Sequence, residues 1–380
     1  MKIHFSRFVA ASVGASVLAL LIAACGAATP TLAPAAATLP PSTFSAPSPA
    51  QSTSPQYQSP LVASTPVSAL GLKGRFVFAL GDGSILVEDA GKNDPRVVLE
   101  ASQELYADAP AFSPDGKQIA FSVSSFTKDG QVLQDVRVMN VDGTNVRVVA
   151  TPTDPKISYS FPAWSVDGKN LLITQSYPVP PSSQHDEIDV VSVSGGPLRR
   201  VLENAREATF SPDGKKIVYS QLDYQTYSSS LWVANIDGSG AKRILENNVF
   251  AAIYGARFSP DGQEIVFAES GPANKKLPGA YAFNSPASDG SCAVGFGVFC
   301  FAEKAEAHGL PWDLWLVSPD GAKFEQLTHI GADSPVPAWS ADGKQIAFYD
   351  ATGIYLLDVA TKKINQISDS HGYGGFDWRE

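Results

Sequence analysis

The sequence predicts an all-β fold: six four-stranded antiparallel units in a ring, closed by a strand from the C-terminus. Three observations carry this expectation. An aromatic-Ser-x-Asp-Gly phrase recurs, as AFSPDGKQIAF (111–121), AWSVDGKNLLI (163–173), TFSPDGKKIVY (209–219), RFSPDGQEIVF (257–267) and AWSADGKQIAF (338–348). Its aspartates, Asp115, Asp167, Asp213, Asp261 and Asp342, stand 52, 46, 48 and 81 residues apart. Forty-odd residues per four-stranded unit is the spacing of a propeller blade. Finally, the two ends of the repeat region are each incomplete and complement one another.

Residues 75–101 supply three strand-like stretches, RFVFAL, SILVED and RVVLEA, with no aromatic-led strand before them. The last residues, GGFDWRE, read as that missing inner strand, with Trp378 where Trp339 stands one unit earlier. Such a strand would close the ring and remove a free sheet edge. In the complete units, the proline of Ser-Pro-Asp-Gly presets φ, Asp accepts local backbone hydrogen bonds and Gly takes positive φ, so a tight hairpin follows. A second hairpin comes after it in VMNVDGTNVRVV, VVSVSGGPLRRV, VANIDGSGAKRI and LVSPDGAKFEQL. The gap of 81 is too short of strands for an extra blade, and reads as one blade carrying an insertion near 270–311. The expected fold is therefore a six-bladed β-propeller over residues 73–380.

The N-terminus reads as a targeting segment. Lys2 and Arg7 precede an apolar run from Phe8 to Ala24, which is too short and wrongly flanked for an ordinary spanning helix. The run ends in Leu21-Ile22-Ala23-Ala24-Cys25, which resembles the bacterial lipobox. That resemblance implies a signal peptide over 1–24, lipidation of Cys25, and an exported protein anchored by lipid in the bacterial cell envelope. The alternatives are an ordinary signal peptide with an incidental cysteine, or an uncleaved anchor. Residues 26–72 are rich in Pro, Ser, Thr and Ala, and none of them is charged. Too little patterned apolar surface offsets the ordering entropy, so residues 25–72 read as a disordered tether. As a coil, such a tether reaches roughly 40 Å.

With 44% hydrophobic residues the chain can bury a large core. A net charge of −10, with no basic run, argues against nucleic acid as partner. Two further cysteines, Cys292 and Cys300, fall in the insertion. In an oxidising compartment they read as a disulfide, against the rival reading of a metal site, for which nearby histidine ligands are missing. The aromatics Phe296, Phe299 and Phe301 on the same loop read either as a partner-binding knob or as side chains packed back over the ring.

The PAWSPDGK-type units resemble TolB-type propeller repeats, also seen in the propellers of prolyl-oligopeptidase-like peptidases. The resemblance covers about residues 74–380 and implies the fold. It does not carry those families' functions: the tether stands where TolB has an α/β domain, and the Gly-x-Ser-x-Gly of a hydrolase domain is missing.

Blade geometry sorts the loops. Both hairpins of each unit lie on one rim and are short; the long connections SSFTKDGQVLQD, SYPVPPSSQHDE, LDYQTYSSS and the insertion lie on the other. Loops free to vary on a rigid scaffold are where binding usually lives, so the long-loop rim is the expected binding face. Four positions before the aromatic, the chain enters the central strand from that rim; Asp108, Arg206 and Tyr254 stand there, with Glu207 beside Arg206. These are candidate ligand contacts, or solvated loop residues. Arg257 and Asp377 occupy a position where other units have Ala111, Ala163, Thr209 and Ala338. A charge there must be paired, either by a structural partner or as part of a channel lining. No catalytic set, resident metal or cofactor is expected: His185, His308, His329 and His371 fall in separate units. His185-Asp186-Glu187 could still contribute metal ligands. The leading functional expectation is a non-catalytic scaffold that binds an envelope protein or glycan. The alternative is a secreted glycan- or peptide-acting enzyme, with channel-mouth carboxylates as acid and base and Tyr177, Tyr224, Tyr227 and Tyr281 stacking on sugars.

Overall fold

Each Ser-x-Asp-Gly turn is closed by the same set of bonds. The Ser113 hydroxyl donates to Asp115 Oδ1 at 2.7 Å and accepts from the Gln118 amide at 2.9 Å, while the Lys117 amide donates to Asp115 at 3.1 Å. Gly116 takes φ 67° and donates to the Ser113 carbonyl at 2.8 Å. The pattern repeats at Ser165, Ser211, Ser259 and Ser340. Serine is needed because one hydroxyl serves as donor and acceptor at once. The phrase that dominates the sequence is therefore a turn device.

The computed structural model describes residues 70–102, 104–126, 130–180, 183–226, 228–272, 294–296, 299–301 and 312–380. The expectations for the signal peptide, Cys25, the tether and most of the insertion lie outside these residues. So does Cys292, and with it the proposed Cys292–Cys300 disulfide.

Hairpins link the strands into units. The first has β1 (Arg75–Ala79), β2 (Ile85–Asp89) and β3 (Arg96–Leu99). The second has β4 (Leu105–Phe112), β5 (Gln118–Phe126), β6 (Val132–Asn140) and β7 (Arg147–Ala150). The third has β8 (Ser158–Trp164), β9 (Asn170–Val179), β10 (Ser183–Ser192) and β11 (Arg199–Glu203). The fourth has β12 (Arg206–Phe210), β13 (Lys216–Asp223), β14 (Ser228–Asn235) and the first part of β15 (Lys242–Phe258). The rest of β15 opens the fifth, followed by β16 (Ile265–Pro272), a short ribbon of β17 (Val294–Phe296) and β18 (Phe299–Phe301), β19 (Trp312–Val317) and β20 (Phe324–Gln326). The sixth has β21 (Val336–Trp339), β22 (Gln345–Asp350), β23 (Gly353–Asp358) and β24 (Ile364–Ser368). The last strand, β25 (Phe376–Arg379), pairs antiparallel with β1, with Trp378 opposite Phe76, and gives the first unit its inner strand.

The core confirms the ring. Side chains alternate along each strand, so one face of a blade packs on its predecessor and the other on its successor. Among the described residues the buried apolar side chains form six clusters, and each lies between two neighbouring units. Ile119 and Phe121 of β5 pack against the first unit, while Ala120 between them packs against the third. The cluster joining the sixth unit to the first holds Phe76, Phe78, Tyr349, Phe376 and Trp378, so β25 closes the core as well as the sheet.

One connection differs from the sequence expectation of separate strands. The stretch 242–258 runs as a single 17-residue strand that is outermost in the fourth unit and innermost in the fifth. It has no proline, and its one glycine, Gly255, comes late, so nothing breaks the chain between blades.

Candidate functional site

The inner strands share a break where they enter the channel. Pairing shifts register between Asp108 and Ala111, Ser160 and Ala163, Arg206 and Thr209, and Tyr254 and Arg257. Inside each break, the residue three before the aromatic is left-handed: Ala109 (φ 50°), Phe161 (51°), Glu207 (55°) and Gly255 (63°). Gly375, at the same offset from Trp378, has φ 101°. The sixth unit has no such residue, and Val336 there pairs directly with Tyr349. Left-handed Phe and Glu are costly singly; here the repeat geometry imposes them. The bulge re-aims the chain, as bulges next to sites do.

At this layer the structure brings four of the candidate residues together. Arg206 Nε lies 3.1 Å from Glu207 Oε1, and its Nη1 lies 4.0 Å from Asp186 Oδ2. Its guanidinium stands over the Phe161 ring at 6.0 Å, and Phe161 meets Tyr254 edge-on with centroids 6.0 Å apart. Asp108 accepts from the Ala109 amide at 2.6 Å. Burial pushes its carboxyl up to about 6, and the charge of Glu207 adds to the rise. Burial also raises Glu207, against the pull of Arg206. Burial raises the Tyr254 phenol well above its ordinary value, with Glu207 and Asp108 contributing. Burial opposes the charge of Arg206, but Glu207 and Asp186 outweigh it and hold the guanidinium ionised.

The other two candidates find each other. Arg257 Nη1 donates to Asp377 Oδ1 at 2.6 Å and its Nη2 to the Phe376 carbonyl at 2.8 Å. Asp377 Oδ2 accepts from the Phe112 amide at 2.8 Å. One side chain of the fifth unit thus reaches the closing strand, whose carboxylate in turn caps a strand of the second unit.

A cavity of about 510 Å³ runs along the axis. Its lining includes Glu207, Tyr254, Arg257 and Asp377, but neither Asp108 nor Arg206. It extends from the bulge layer past Ala111, Ala163 and Thr209 to the turn residues Pro114, Pro212 and Pro260, and so reaches the short-turn rim. Tryptophans in the lining brace its wall: Trp164 Nε1 donates to the Ala111 carbonyl at 3.0 Å, and Trp339 Nε1 to that of Arg257 at 3.3 Å.

On the long-loop rim, the second and third strands of some units project. Pairing of β5 with β6 continues to Phe126 and Val132, and that of β9 with β10 to Val179 and Ser183. In the sixth unit pairing stops at Asp350 and Gly353, so the ribbons make a wall on one side of this rim. On the third unit's ribbon, Glu187 is gripped by Arg200 at 2.8 Å, by the Tyr177 hydroxyl at 2.8 Å and by His185 at 3.2 Å. Asp186 accepts from the Tyr224 hydroxyl at 2.5 Å. These carboxylates are committed to protein partners, and among the described residues no three His, Cys, Asp or Glu side chains are placed to hold a metal ion. Tyr227 and Tyr281 lie outside the described residues.

Phe161 and Asp186 complete the cluster and were not foreseen as members. Phe161 could have been found from its place three before Trp164, the offset at which Glu207 precedes Phe210. Asp186 could not, because nothing local says that a third-strand residue turns toward Arg206 of the next unit.

No protein-family model and no curated protein matches the sequence. Among solved structures the chain is similar to TolB from Acinetobacter baumannii, at 16% identity with a TM-score of 0.57, covering 80% of this chain and 66% of that one. It thus spans slightly less than two thirds of that relative's length. It is also similar to a chain of a nidogen/laminin complex (12% identity, TM-score 0.54, 80% and 97% covered). Hydrazine synthase from Kuenenia stuttgartiensis is similar at 14% identity and TM-score 0.54, with 81% and 46% covered. At these identities the likeness shows the fold, which is that of TolB-type β-propellers.

Proposed function

We propose that the protein is a non-catalytic binding scaffold of the cell envelope, held by a lipid on Cys25 and a tether over 26–72, and that its long-loop rim binds a protein or cell-wall component. The observation that carries this reading is the uneven rim. Paired ribbons rise from the second and third units, the insertion springs from the fifth, and the Asp108–Arg206–Glu207–Tyr254 cluster lies at their base. Rigid ribbons present side chains without a large ordering cost on binding. The test is recovery of partners from detergent-solubilised envelopes by the full chain and by a variant lacking 273–311. The reading expects one discrete partner retained by the full chain and depleted with the variant; identical recoveries would remove the insertion from the contact.

A second reading keeps one specific observation. Asp108 and Glu207 are electrostatically coupled carboxyls, both raised by burial, as a general acid beside a second carboxylate would be. Release of sugars or peptides from cell-wall material by the full chain, lost in Asp108→Asn, would support an enzyme. Equal release by both chains would refute it.

A further inference from the structure

The axial cavity opens on the rim opposite the paired ribbons. Its mouth, on the short-turn rim, mixes Pro114, Val166, Pro212 and Pro260 with the charged pair of residues Arg379 and Glu380. Midway, Ala111, Ala163 and Thr209 keep the bore open, and the charge of Arg257 is already held by Asp377 at 2.6 Å. The floor is different. One cation, Arg206, is shared between Glu207 at 3.1 Å and Asp186 at 4.0 Å, and Asp108 adds a third carboxyl coupled to Glu207. The floor therefore carries more negative than positive charge. Tyr254 stands among these groups, and its hydroxyl takes no hydrogen bond from the described residues. From the bulge layer to the turn prolines is about five extended residues, or roughly 16 Å.

We infer that the cavity binds a peptide segment entering from the short-turn rim with a primary ammonium leading, and that the ammonium settles against Glu207 and Tyr254 with Asp108 behind them. An ammonium brings three donors and no acceptor, which matches carboxylates and a phenol oxygen. The Tyr254 ring adds an attractive face for a cation. The same chemistry comes from two sources: a lysine-led protein segment, or a cell-wall stem peptide with a diamino acid.

Calorimetric titration of the full-length protein in detergent tests this with three probes: Lys-Ala-Ala-amide, its diacetylated form, and a diamino-acid stem peptide. We expect at least one amine probe to bind with a Kd below about 1 mM. The acetylated form should bind at least about tenfold more weakly, the cost of a lost charge-assisted contact. Glu207→Gln should reproduce that loss; Tyr254→Phe, which keeps the ring, should lose several-fold and guards against a folding defect in the first variant. Tighter binding of the stem peptide assigns the cell-wall source, and the reverse assigns a protein segment. Equal binding of acetylated and free amines, no binding of either amine probe, or full affinity in both variants would overturn the inference. Loss of a rim partner on deleting 273–311 leaves these titrations unchanged, so the two readings fail separately.

Discussion

Two residue-scale features govern how this protein responds to pH and to mutation. Asp108 is raised to about 6 by burial and by Glu207, Asp189 to about 6 by burial and by Glu187, and Glu269 to about 7 by burial. An acid whose folded pKa lies above its unfolded value stabilises the fold fully below the unfolded value. That contribution is lost as pH rises through the folded pKa. The turn aspartates, such as Asp115 and Asp167, are held below 3.8 chiefly by their serine hydroxyls, so their contribution is present above 3.8 and lost as pH falls through the lowered values. The melting temperature should therefore peak at about pH 4 and decline as pH rises to about 7. Asp108→Asn should stabilise by roughly 1–2 kcal/mol at pH 8 and by nothing at pH 4; a flat profile for both proteins would contradict this. Across the channel, Arg257→Ala should cost about 2 kcal/mol in urea unfolding, since the pair is only partly shielded from water. Asp377→Ala should cost more, because the Phe112 amide also loses its acceptor.

At the scale of elements, the third-to-outer hairpins of the second, fourth and fifth blades lean on their neighbours through Gly143, Gly238 and Gly321. A Cβ on Gly143 would stand 2.1 Å from the Val98 carbonyl, and one on Gly238 would stand 2.2 Å from that of Val201. Both residues have φ near +85°. Gly143→Ala and Gly238→Ala should each cost more than about 2 kcal/mol, whereas Gly130→Ala, with similar φ but open space around it, should cost about 1 kcal/mol. Equal losses at all three sites would show that close approach is irrelevant. The contrast also shows what a sequence can disclose. Turns, units and the closing strand were legible because each rests on local chemistry: Ser113 with Asp115, Gly116 at positive φ, Trp378 in the register of Trp339. The fusion of two strands in β15 was not, since it depends on the lack of a break rather than on a signal. The pairing of Arg257 with Asp377 was legible only as a need. Each charge required a partner, but 120 residues separate them and only the closed ring brings them together.

At the scale of the molecule, six interfaces share the stability, and β25 supplies the inner strand of one unit. Removing residues 376–380 takes Phe376 and Trp378 out of the cluster between the sixth and first units. Losing each large buried aromatic costs about 3–5 kcal/mol, so the truncated chain should melt far below the full one; an unchanged melting curve would refute closure. The same ring separates two faces. Short turns built on Ser-x-Asp-Gly fill one rim; ribbons and the insertion rise from the other. The ribboned rim is the face we propose meets a partner in the envelope. Photo-crosslinking in cells tests it most directly, with a photoreactive side chain placed at Phe126 or Tyr177 on the ribbons, or at Val146 or Ile236 on the exposed short hairpins. The scaffold reading predicts a discrete crosslinked species from Phe126 or Tyr177 and none from Val146 or Ile236. Crosslinks confined to Val146 and Ile236 would contradict it.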